Sequence, residues 1–547
     1  MRVSIARVVL ALVVLLPVTT QAQTDPEVTV KLGIGTTTVT GNVVTNARGE
    51  RINAFRGIRY AEPPTGTNRW KPSKLLVPTG AIKATAFANI CYTNPGWDGP
   101  PQFPESEDCL FLNVYAPAGA TSRSNLPVMV WTHGGGWVSG NGCKYDSRNL
   151  VNAGGNPVVV VTFNYRLGLF GFLGNQQLLK EGNGANAGMT DMTNAHKWVR
   201  KYIRSFGGNP NDVTAFGESA GAFMVSLQFL TDGGYQQIFD KVILESGAYP
   251  SFAQLQSVPE QTQYVATIAE TVGCANADAA KVLACLRTTD PRTLMNAGGS
   301  LEWRPIVDNK FLVDVPYKLV AANKVSKVPT LIGTNTDEGF LFTMNVASDE
   351  DVMPFFTTWL VRMTSEEFAT LEALYPSSAF PSPTHRAGEM LGDLIFVCPS
   401  EKLTETLAQC EATYHYRFNE TETVFGPPMA YHSAELKYVF YDSAVLAKDA
   451  GTQGLVNNIQ SFWTNFARFG SPNGLSCEPT WPLYDNALKK QIVLQKGSLG
   501  VEKNGAYMPK HAERCTFWNK IEARTASGPW YKPASVLLSD EVEAKAF

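Results

Sequence analysis

The chain has 547 residues, with 46 Lys and Arg against 49 Asp and Glu, and therefore a formal net charge of −3 at pH 7. This near balance, without any block of basic residues, argues against a nucleic acid as the partner. Hydrophobic residues make up 44% of the chain and aromatic residues 11%, enough for a large buried core and an aromatic-lined pocket.

Residues 1–22 have the pattern of a secretory signal peptide. Arg2 and Arg7 flank the start of an apolar run over residues 8–18, and Thr20-Gln21-Ala22 is a small-x-small cleavage site. The run is too short for a membrane span, and no later apolar run approaches that length. We therefore expect residues 23–547 to be exported as a single domain, secreted or, in a bacterium, periplasmic.

Strands and helices are predicted to alternate along much of the chain. Two alternating segments near the N-terminus predict an antiparallel pair of strands, at residues 36–44 and 52–60. Later strands are predicted at residues 110–116, 126–131, 157–165, 212–216, 240–246, 328–334, 414–418 and 491–494, and helices at 188–206 and 220–230. Residues 345–430 are mainly helical in pattern. This order is typical of an α/β fold with a central, mostly parallel mixed sheet flanked by helices.

One short stretch predicts a nucleophile. Gly217-Glu-Ser219-Ala-Gly221 lies between a predicted buried strand and an apolar helix. At such a junction, Gly-x-Ser-x-Gly forms a nucleophile elbow, a sharp turn that exposes the serine hydroxyl. By itself the pattern would indicate only a tight turn. The backbone N–H of Ala220, at the helix N-terminus, would face negative charge that develops near Ser219.

A glycine loop after the strand at residues 126–131 predicts an oxyanion hole. The run His133-Gly-Gly-Gly136 would let bare backbone N–H groups converge on one point. A loop that is merely flexible is the alternative. Its place before an elbow on the same predicted sheet favours the catalytic interpretation.

A serine hydroxyl needs a general base, and the chain has six histidines. His432 lies after Ser219 in a proline-broken loop, from which a mobile imidazole could reach another loop. His415 lies inside a predicted strand, and that position is more typical of a structural residue. His432 is therefore the candidate base.

The acid that orients the imidazole is expected between the serine and the histidine in this chain order. Asp337 and Glu338 both follow the predicted strand at residues 328–334, where ligand chemistry gathers in α/β sheets. Both residues remain candidates on this reasoning. Asp308 is the next choice, in a segment with hairpin chemistry.

Further motifs make the chain resemble the type-B carboxylesterases, the family of the cholinesterases and fungal-type lipases, along nearly all of its mature length. Beside the glycine loop and the elbow, they lie at residues 55–64, 106–113, 164–172, 206–210 and 481–484. The resemblance implies the α/β-hydrolase fold, with residues 345–430 as a helical cap region. It also implies a serine hydrolase that cleaves carboxylic esters without a metal or organic cofactor.

The resemblance assigns roles to individual residues. Three match the triad as nucleophile, acid and base: Ser219, Glu338 and His432. Three match the backbone donors of the oxyanion hole: Gly135, Gly136 and Ala220. Three cysteine pairs match disulfides of the family: Cys91–Cys109, Cys274–Cys285 and, as in cholinesterases, Cys398–Cys515. A fourth pair, Cys410–Cys477, would leave Cys143 free.

The loop between Cys91 and Cys109 is short beside the lid-bearing loop of the family's lipases. We therefore expect an open pocket suited to small and medium soluble esters, with a lipase or sterol esterase as the alternative. A choline-ester hydrolase is a second alternative, because Trp97 lies where cholinesterases carry a cation-binding tryptophan. A cholinesterase-like adhesion protein is the non-enzymatic alternative. The sequon at Asn419 predicts one glycosylation site.

Overall fold

The computed structural model describes residues 25–33, 35–94, 101–182, 184–230, 237–359, 363–442, 449–474 and 480–526. The predicted signal peptide, Trp97 and Cys477 lie outside these ranges. Within them, no helix combines the length and the apolar character that crossing a membrane requires.

In the part of the chain that the structure describes, a mixed sheet of 13 strands forms the centre of the molecule. The strands are β1 Glu27–Lys31, β2 Thr38–Thr45, β3 Arg51–Arg59, β4 Ala81–Lys83, β5 Phe111–Pro117, β6 Leu126–Thr132, β7 Val159–Phe163, β8 Gly208–Glu218, β9 Lys241–Glu245, β10 Thr330–Asn335, β11 Thr413–Phe418, β12 Lys490–Leu494 and β13 Gly500–Lys503. Their order is β1-β2-β3-β5-β7-β6-β8-β9-β10-β11-β12-β13, with β4 beside β2.

The sheet is parallel in its middle and antiparallel towards its ends. Neighbouring strands from β7 through β12 run parallel, whereas β1, β2, β3, β5 and β7 pair antiparallel in that order, as do β12 and β13. The predicted α/β fold with an antiparallel N-terminal pair is thereby confirmed. The short strands β1, β4 and β13 were not predicted, since their patterns are weak and they lie at the edges.

Helices surround the sheet. They are α1 Gly168–Phe172, α2 Gln176–Lys180, α3 Ala187–Tyr202, α4 Ala220–Gln228, α5 Val258–Thr271, α6 Ala279–Thr288, α7 Pro291–Gly298, α8 Pro316–Ala321, α9 Asp349–Trp359, α10 Ser365–Leu374, α11 Pro383–Gly392, α12 Cys398–Leu407, α13 Leu436–Val439, α14 Ala450–Phe469 and α15 His511–Ala526. Short 3₁₀ segments lie at Gly66–Asn68, Ser147–Asn149, Ala153–Gly155, Ile203–Phe206, Phe252–Gln254, Phe340–Phe342 and Ser377–Ala379. One π-helical turn, Asp393–Val397, joins α11 to α12.

Two hydrophobic cores lie on the two faces of the sheet. Along β6, Val128 and Val130 belong to the larger core, and Met129 and Trp131 to the smaller one. Successive side chains of a strand point to opposite faces, so the alternation separates the cores. This two-sided burial explains why the central strands are continuous apolar runs.

Within the described residues, three disulfides join parts of the chain: Cys91–Cys109, Cys274–Cys285 and Cys398–Cys515. The third connects the start of α12 to α15, across a sequence separation of 117. Among the described cysteines, Cys143 is buried and free, and Cys410 is exposed and free.

Candidate active site

The nucleophile elbow lies where β8 ends. Ser219 precedes α4 with φ 55° and ψ −127°, an uncommon conformation for a residue with a side chain. A Cβ added at Gly217 would lie 2.8 Å from the carbonyl oxygen of Thr132, and one added at Gly221 would lie 2.0 Å from it. Glycine at these positions lets the end of β6 approach the turn closely.

The glycine loop begins at the end of β6, beside the elbow. Gly135 and Gly136 have φ of 103° and 60°, and a Cβ added at Gly134 would lie 3.1 Å from Cβ of Ser219. Within the described residues, the backbone N–H groups of Gly135, Gly136 and Ala220 donate no hydrogen bond. Unengaged donors beside a serine are the arrangement that stabilises an oxyanion.

His133 supports this loop. Its ring stacks on Tyr165 with centroids 4.4 Å apart, and the Tyr165 hydroxyl donates a hydrogen bond of 2.9 Å to the carbonyl oxygen of His133. His133 therefore holds the glycine loop in place.

His432 and Glu338 form a buried hydrogen-bonded pair. Nδ1 of His432 lies 2.6 Å from Oε2 of Glu338, and Oε1 of Glu338 accepts a hydrogen bond of 2.7 Å from the backbone N–H of Asn335, the last residue of β10. The side chains are 7% and 0% exposed. A carboxylate at Nδ1 fixes the ring orientation and leaves Nε2 as the reactive nitrogen.

Asp337 contacts the backbone of Ala430, whereas Glu338 contacts His432. Its Oδ2 accepts a hydrogen bond of 2.8 Å from the backbone N–H of Ala430, and its own N–H donates to the carbonyl oxygen of Ala430 at 3.0 Å. Asp337 therefore fastens the loop of His432 to the end of β10, while Glu338 contacts the imidazole.

Glu218, the residue before Ser219, faces the other nitrogen of His432. Its Oε1 lies 3.1 Å from Nε2 and accepts a hydrogen bond of 2.5 Å from the Ser433 hydroxyl. Nε2 itself has no hydrogen bond within the described residues. The geometry places the imidazole beside Glu218, the residue that directly precedes Ser219.

Buried carboxylates control the charge of His432. Burial alone would lower the pKa of His432, but the charges of Glu218 and Glu338 and the hydrogen bond to Glu338 outweigh it and raise the pKa to about 9. Burial raises the pKa of Glu218, which His432 partly opposes. Burial and the charges of Glu218 and Glu338 raise the pKa of Glu435 to about 8.

A cavity of about 1300 Å³ opens over the elbow. Its lining includes the candidate nucleophile, base and oxyanion donors: Ser219, His432, Gly135, Gly136 and Ala220. Glu338 is fully buried behind the imidazole and is not part of the lining. The structure thus brings the six residues suggested by the sequence to one place at the carboxyl edge of the sheet.

Two aromatic rings cover the imidazole. The ring centroids of Phe396 and Phe342 lie 4.6 Å and 5.3 Å from that of His432. Phe396 belongs to the π-helical turn between α11 and α12. Such turns often occur at functional sites, where they redirect a side chain.

The site and the fold agree with comparisons to known proteins. The sequence model of the carboxylesterase family matches residues 24–518. The chain belongs to the carboxylesterase family. It is 31% identical to mouse (Mus musculus) cholinesterase over 518 residues, covering 86% of this chain and 83% of that protein. It is 32% identical to para-nitrobenzyl esterase of Bacillus subtilis strain 168 over 471 residues, covering 81% and 91%.

A solved structure shows the same fold. The crystal structure of Aspergillus niger EstA matches this carboxylesterase with a TM-score of 0.81 and 27% identity, covering 91% of this chain and 98% of that one. Family and fold together establish a hydrolase of carboxylic esters with the α/β-hydrolase architecture.

The remaining histidines of the carboxylesterase have other partners. Nδ1 of His415 lies 2.8 Å from Oε1 of Gln491, His385 lies beside the hydroxyl of Ser382, and His196 is buried against the carbonyl oxygen of Met192. His511 contacts Glu401 at 2.8 Å. Among the described histidines, only His133 and His432 lie at the elbow.

Asp308, the second choice for the acid, closes a turn in the carboxylesterase. Its Oδ1 accepts hydrogen bonds from the backbone N–H groups of Lys310, Phe311 and Leu312. This is the hairpin chemistry expected from the sequence, and it leaves Asp308 apart from His432.

One group within the described part of the carboxylesterase has the composition of a metal site: Glu401, His511 and Cys515. However, Cys515 is bonded to Cys398, so its sulfur is not a thiolate ligand. The carboxylate of Glu401 is already hydrogen-bonded to His511. These residues do not fit a metal ion.

The sequence reasoning missed two groups of the site. Glu218 is the variable residue of the elbow motif, and its position beside Ser219 was the available signal. Phe342 and Phe396 reach His432 through a 3₁₀ turn and a π-helical turn, and no local pattern marked them.

Proposed function

We propose that the protein is an exported serine carboxylesterase that works through an acyl-enzyme on small to medium soluble esters. Ser219 is the nucleophile, His432 the general base and Glu338 the acid that orients the imidazole. The backbone N–H groups of Gly135, Gly136 and Ala220 bind the oxyanion. The observation that carries the proposal is the position of His432, which is held by Glu338 at Nδ1, has no hydrogen bond at Nε2 within the described residues, and lines the same cavity as Ser219.

The reaction proceeds in two halves. Ser219 Oγ attacks the ester carbonyl carbon while His432 Nε2 takes the hydroxyl proton, and the tetrahedral oxyanion accepts hydrogen bonds from the three backbone donors. The bond to the alcohol oxygen then breaks, and His432 protonates the departing alcohol. Water attacks the acyl-enzyme by the same steps, releasing the acid and restoring the serine hydroxyl.

Glu338 stabilises the imidazolium that forms twice in each cycle. Its carboxylate is fully buried and already hydrogen-bonded to Asn335 and His432, so it needs little reorganisation when charge develops. The oxyanion donors belong to a glycine loop held by His133 and Tyr165, and to the first residue of α4. Preorganised donors of this kind contribute about 3–4 kcal/mol each to transition-state stabilisation.

Export is proposed from the N-terminal sequence and is supported by the disulfides. Three disulfides in the described residues fit an oxidising compartment. Glycosylation at Asn419 would have to displace a hydrogen bond of 2.8 Å from its Nδ2 to Gln495. Mass spectrometry of the protein from culture medium should find an N-terminus at Gln23.

The test of the mechanism is Ser219→Ala assayed with 4-nitrophenyl butyrate. We expect kcat/KM to fall by about 10⁵-fold, because the nucleophile is removed. Ser226→Ala is the matched control, since Ser226 lies on the same helix but binds only the carbonyl oxygen of Phe223 and does not line the cavity. Hydrolysis that survives in Ser219→Ala would refute the assignment.

The substrate class is tested with triglyceride at concentrations on either side of its solubility limit. A soluble-ester hydrolase follows saturation kinetics below the limit and gains nothing above it. A jump in rate above the limit would favour the lipase or sterol esterase alternative.

A further inference from the structure

The cavity has two walls of different chemistry. One wall, here called the aromatic wall, consists of Trp137, Phe223, Phe342 and Phe396. The other, the polar wall, consists of Asn46, Asp146, Arg148, Asn149, Ser433 and Lys437. Neither wall supplies the proposed nucleophile, base, acid or oxyanion donors, so both are candidates for substrate selection.

The aromatic wall is a continuous row of rings. Trp137 stacks on Phe223 with centroids 5.7 Å apart, Phe223 on Phe396 at 6.2 Å, and Phe396 on Phe342 at 6.0 Å. The interplanar angles of these three contacts are 27°, 21° and 24°. Nearly parallel rings along one wall form a surface that suits a flat aromatic group.

The polar groups of the polar wall already have hydrogen-bond or ion-pair partners within the protein. Arg148 Nε donates to Asp146 Oδ2 at 2.6 Å, and Lys437 forms an ion pair with Glu422. Asn149 Oδ1 accepts the backbone N–H of Ala47 at 2.8 Å. Because its cations are paired with carboxylates, this wall suits a neutral ligand with several hydroxyl groups better than an ion.

The two walls belong to opposite faces of the sheet. Trp137, Phe223 and Phe396 are part of the larger core, whereas Tyr145, Phe440 and Tyr441, which also line the polar side of the cavity, belong to or pack on the smaller core. The cavity therefore crosses the carboxyl edge of the sheet, with the elbow between the walls.

The positions of the proposed base and nucleophile indicate which wall faces the alcohol part of the ester and which faces the acyl part. The departing alcohol must lie at Nε2 of His432, which is 3.1 Å from Glu218, the residue that accepts the hydrogen bond of Ser433 in the polar wall. On the other side, Trp137 directly follows Gly136, and the N–H of Phe223 donates to the carbonyl oxygen of Ser219 at 3.0 Å. Phe342 and Phe396, at one end of the aromatic wall, lie against the imidazole itself, so the departing alcohol lies between these rings and Ser433 of the polar wall. The acyl group then faces the other end of the aromatic wall, Trp137 and Phe223.

We propose that the preferred substrates are esters that join a flat aromatic acid to a small, neutral, hydroxyl-rich alcohol. This inference rests on the proposed function, since it uses the same nucleophile and base. The acyl–oxygen bond breaks, the polyol leaves with the proton from His432, and water releases the aromatic acid from Ser219.

Two matched ester pairs test the proposal. One pair, 4-nitrophenyl benzoate and 4-nitrophenyl hexanoate, varies only the acid. The other, 1-benzoylglycerol and propyl benzoate, varies only the hydroxyl groups of the alcohol. Each kcat/KM is divided by the alkaline hydrolysis rate of the same ester, which removes intrinsic reactivity. We expect the benzoate and the glycerol ester each to be favoured by about tenfold, the factor that one or two ring contacts or hydrogen bonds supply.

Two variants test whether the two walls cause the preference for the benzoate and for the glycerol ester. Phe223→Leu should lower the benzoate-to-hexanoate ratio about fivefold, whereas Phe229→Leu, at the end of the same helix but outside the cavity lining, should leave the ratio unchanged. Asp146→Asn should lower the ratio of 1-benzoylglycerol to propyl benzoate about threefold. Asp108→Asn is its control, because it breaks a similar half-exposed pair with Arg59 away from the cavity.

The outcomes separate the two proposals. If Ser219→Ala is inactive but the wild type shows equal normalised kcat/KM within both ester pairs, the substrate assignment is wrong and the mechanism stands. A preference for the hexanoate or for propyl benzoate would also overturn the assignment. If Ser219→Ala hydrolyses all four esters like the wild type, the proposed function itself fails.

Discussion

The molecule contains two buried glutamate–histidine pairs that look alike at first. Glu338 contacts His432 at 2.6 Å, and Glu401 contacts His511 at 2.8 Å. Both imidazole side chains are 7% exposed. Each histidine pKa is raised, since the carboxylate charge outweighs burial, which alone would lower it. Distance and burial therefore do not distinguish the pair proposed to be catalytic from the other pair.

The surroundings of the two pairs differ. Lys489 lies 3.3 Å from Glu401, and although burial would raise the pKa of Glu401, the hydrogen bond and charge of His511 together with Lys489 lower it to about 2. At His432, the charges that raise the pKa of the imidazole are all carboxylates, Glu218, Glu338 and Glu435. His432 also lines the cavity, and neither member of the second pair does. We infer that a position in the cavity lining and an excess of nearby carboxylates mark the pair proposed to react.

The comparison is tested most strongly by replacing each histidine. His432→Gln should lower kcat/KM for 4-nitrophenyl butyrate by about 10⁵-fold, because the proposed general base is lost. His511→Gln should change kcat/KM by less than about twofold and lower the free energy of unfolding by about 1–3 kcal/mol, since Glu401 loses a buried partner. Equal losses of activity in two equally stable variants would contradict the distinction.

Replacing the carboxylate of each pair should give a smaller difference in activity between the two variants than replacing the histidines. Glu338→Gln should lower kcat by about 10⁴-fold at unchanged fold, because an amide does not stabilise the imidazolium. Glu401→Gln should keep kcat and lower the free energy of unfolding at pH 7 by about 2 kcal/mol. The measurement combines steady-state kinetics with denaturant unfolding.

The pH dependence of that stability loss has a definite sign. The pKa of Glu401 is lowered from its ordinary 4.5 to about 2 in the folded protein. Its stabilising charge is therefore fully present above pH 4.5 and is lost as the pH falls towards 2. The stability difference between wild type and Glu401→Gln should shrink over this interval, and a constant difference would show that the pair is not the cause.

The smallest expected effect is a displacement of the pH profile. The base must be neutral to accept a proton, so kcat/KM should rise with pH and level off above the pKa of His432, about 9. Glu218→Gln removes the carboxylate whose charge alone raises the pKa of His432 more than any other charge does, and should move the rise to lower pH by about one unit. Glu435→Gln should move it the same way by less. A wild-type profile that levels off below pH 7 would contradict the charge distribution described here.

Much of the fold was predictable because the central strands are buried on both faces. Runs such as Val159–Phe163 are wholly buried and apolar except for Thr162, and the alternation of strands with helices identifies an α/β sheet. The edge strands β1 and β13 escaped prediction because only one side chain in two is partly buried there. The helix expected over residues 188–206 ends at Tyr202 and continues as a 3₁₀ turn to Phe206, where Gly207 adopts φ 93°.

Motifs and chain order predicted the residues proposed for the triad. They did not predict the residues that surround the triad in the folded protein. The choice between Asp337 and Glu338 depended on resemblance, since adjacent carboxylates are equivalent in a pattern. The structure separates them through backbone contacts of Asp337 that only tertiary packing creates. The aromatic wall also depends on packing, because its four residues come from separate segments, residues 137, 223, 342 and 396.

The backbone conformation of Ser219 has a consequence for engineering this protein. A residue with a side chain at φ 55° and ψ −127° costs about 1–3 kcal/mol relative to glycine. Ser219→Gly would relieve that cost, so the variant should resist heat better than the wild type while it loses the candidate nucleophile. A library selected for heat resistance alone would therefore enrich inactive molecules at this position, and selection must be coupled to ester hydrolysis to keep the enzyme.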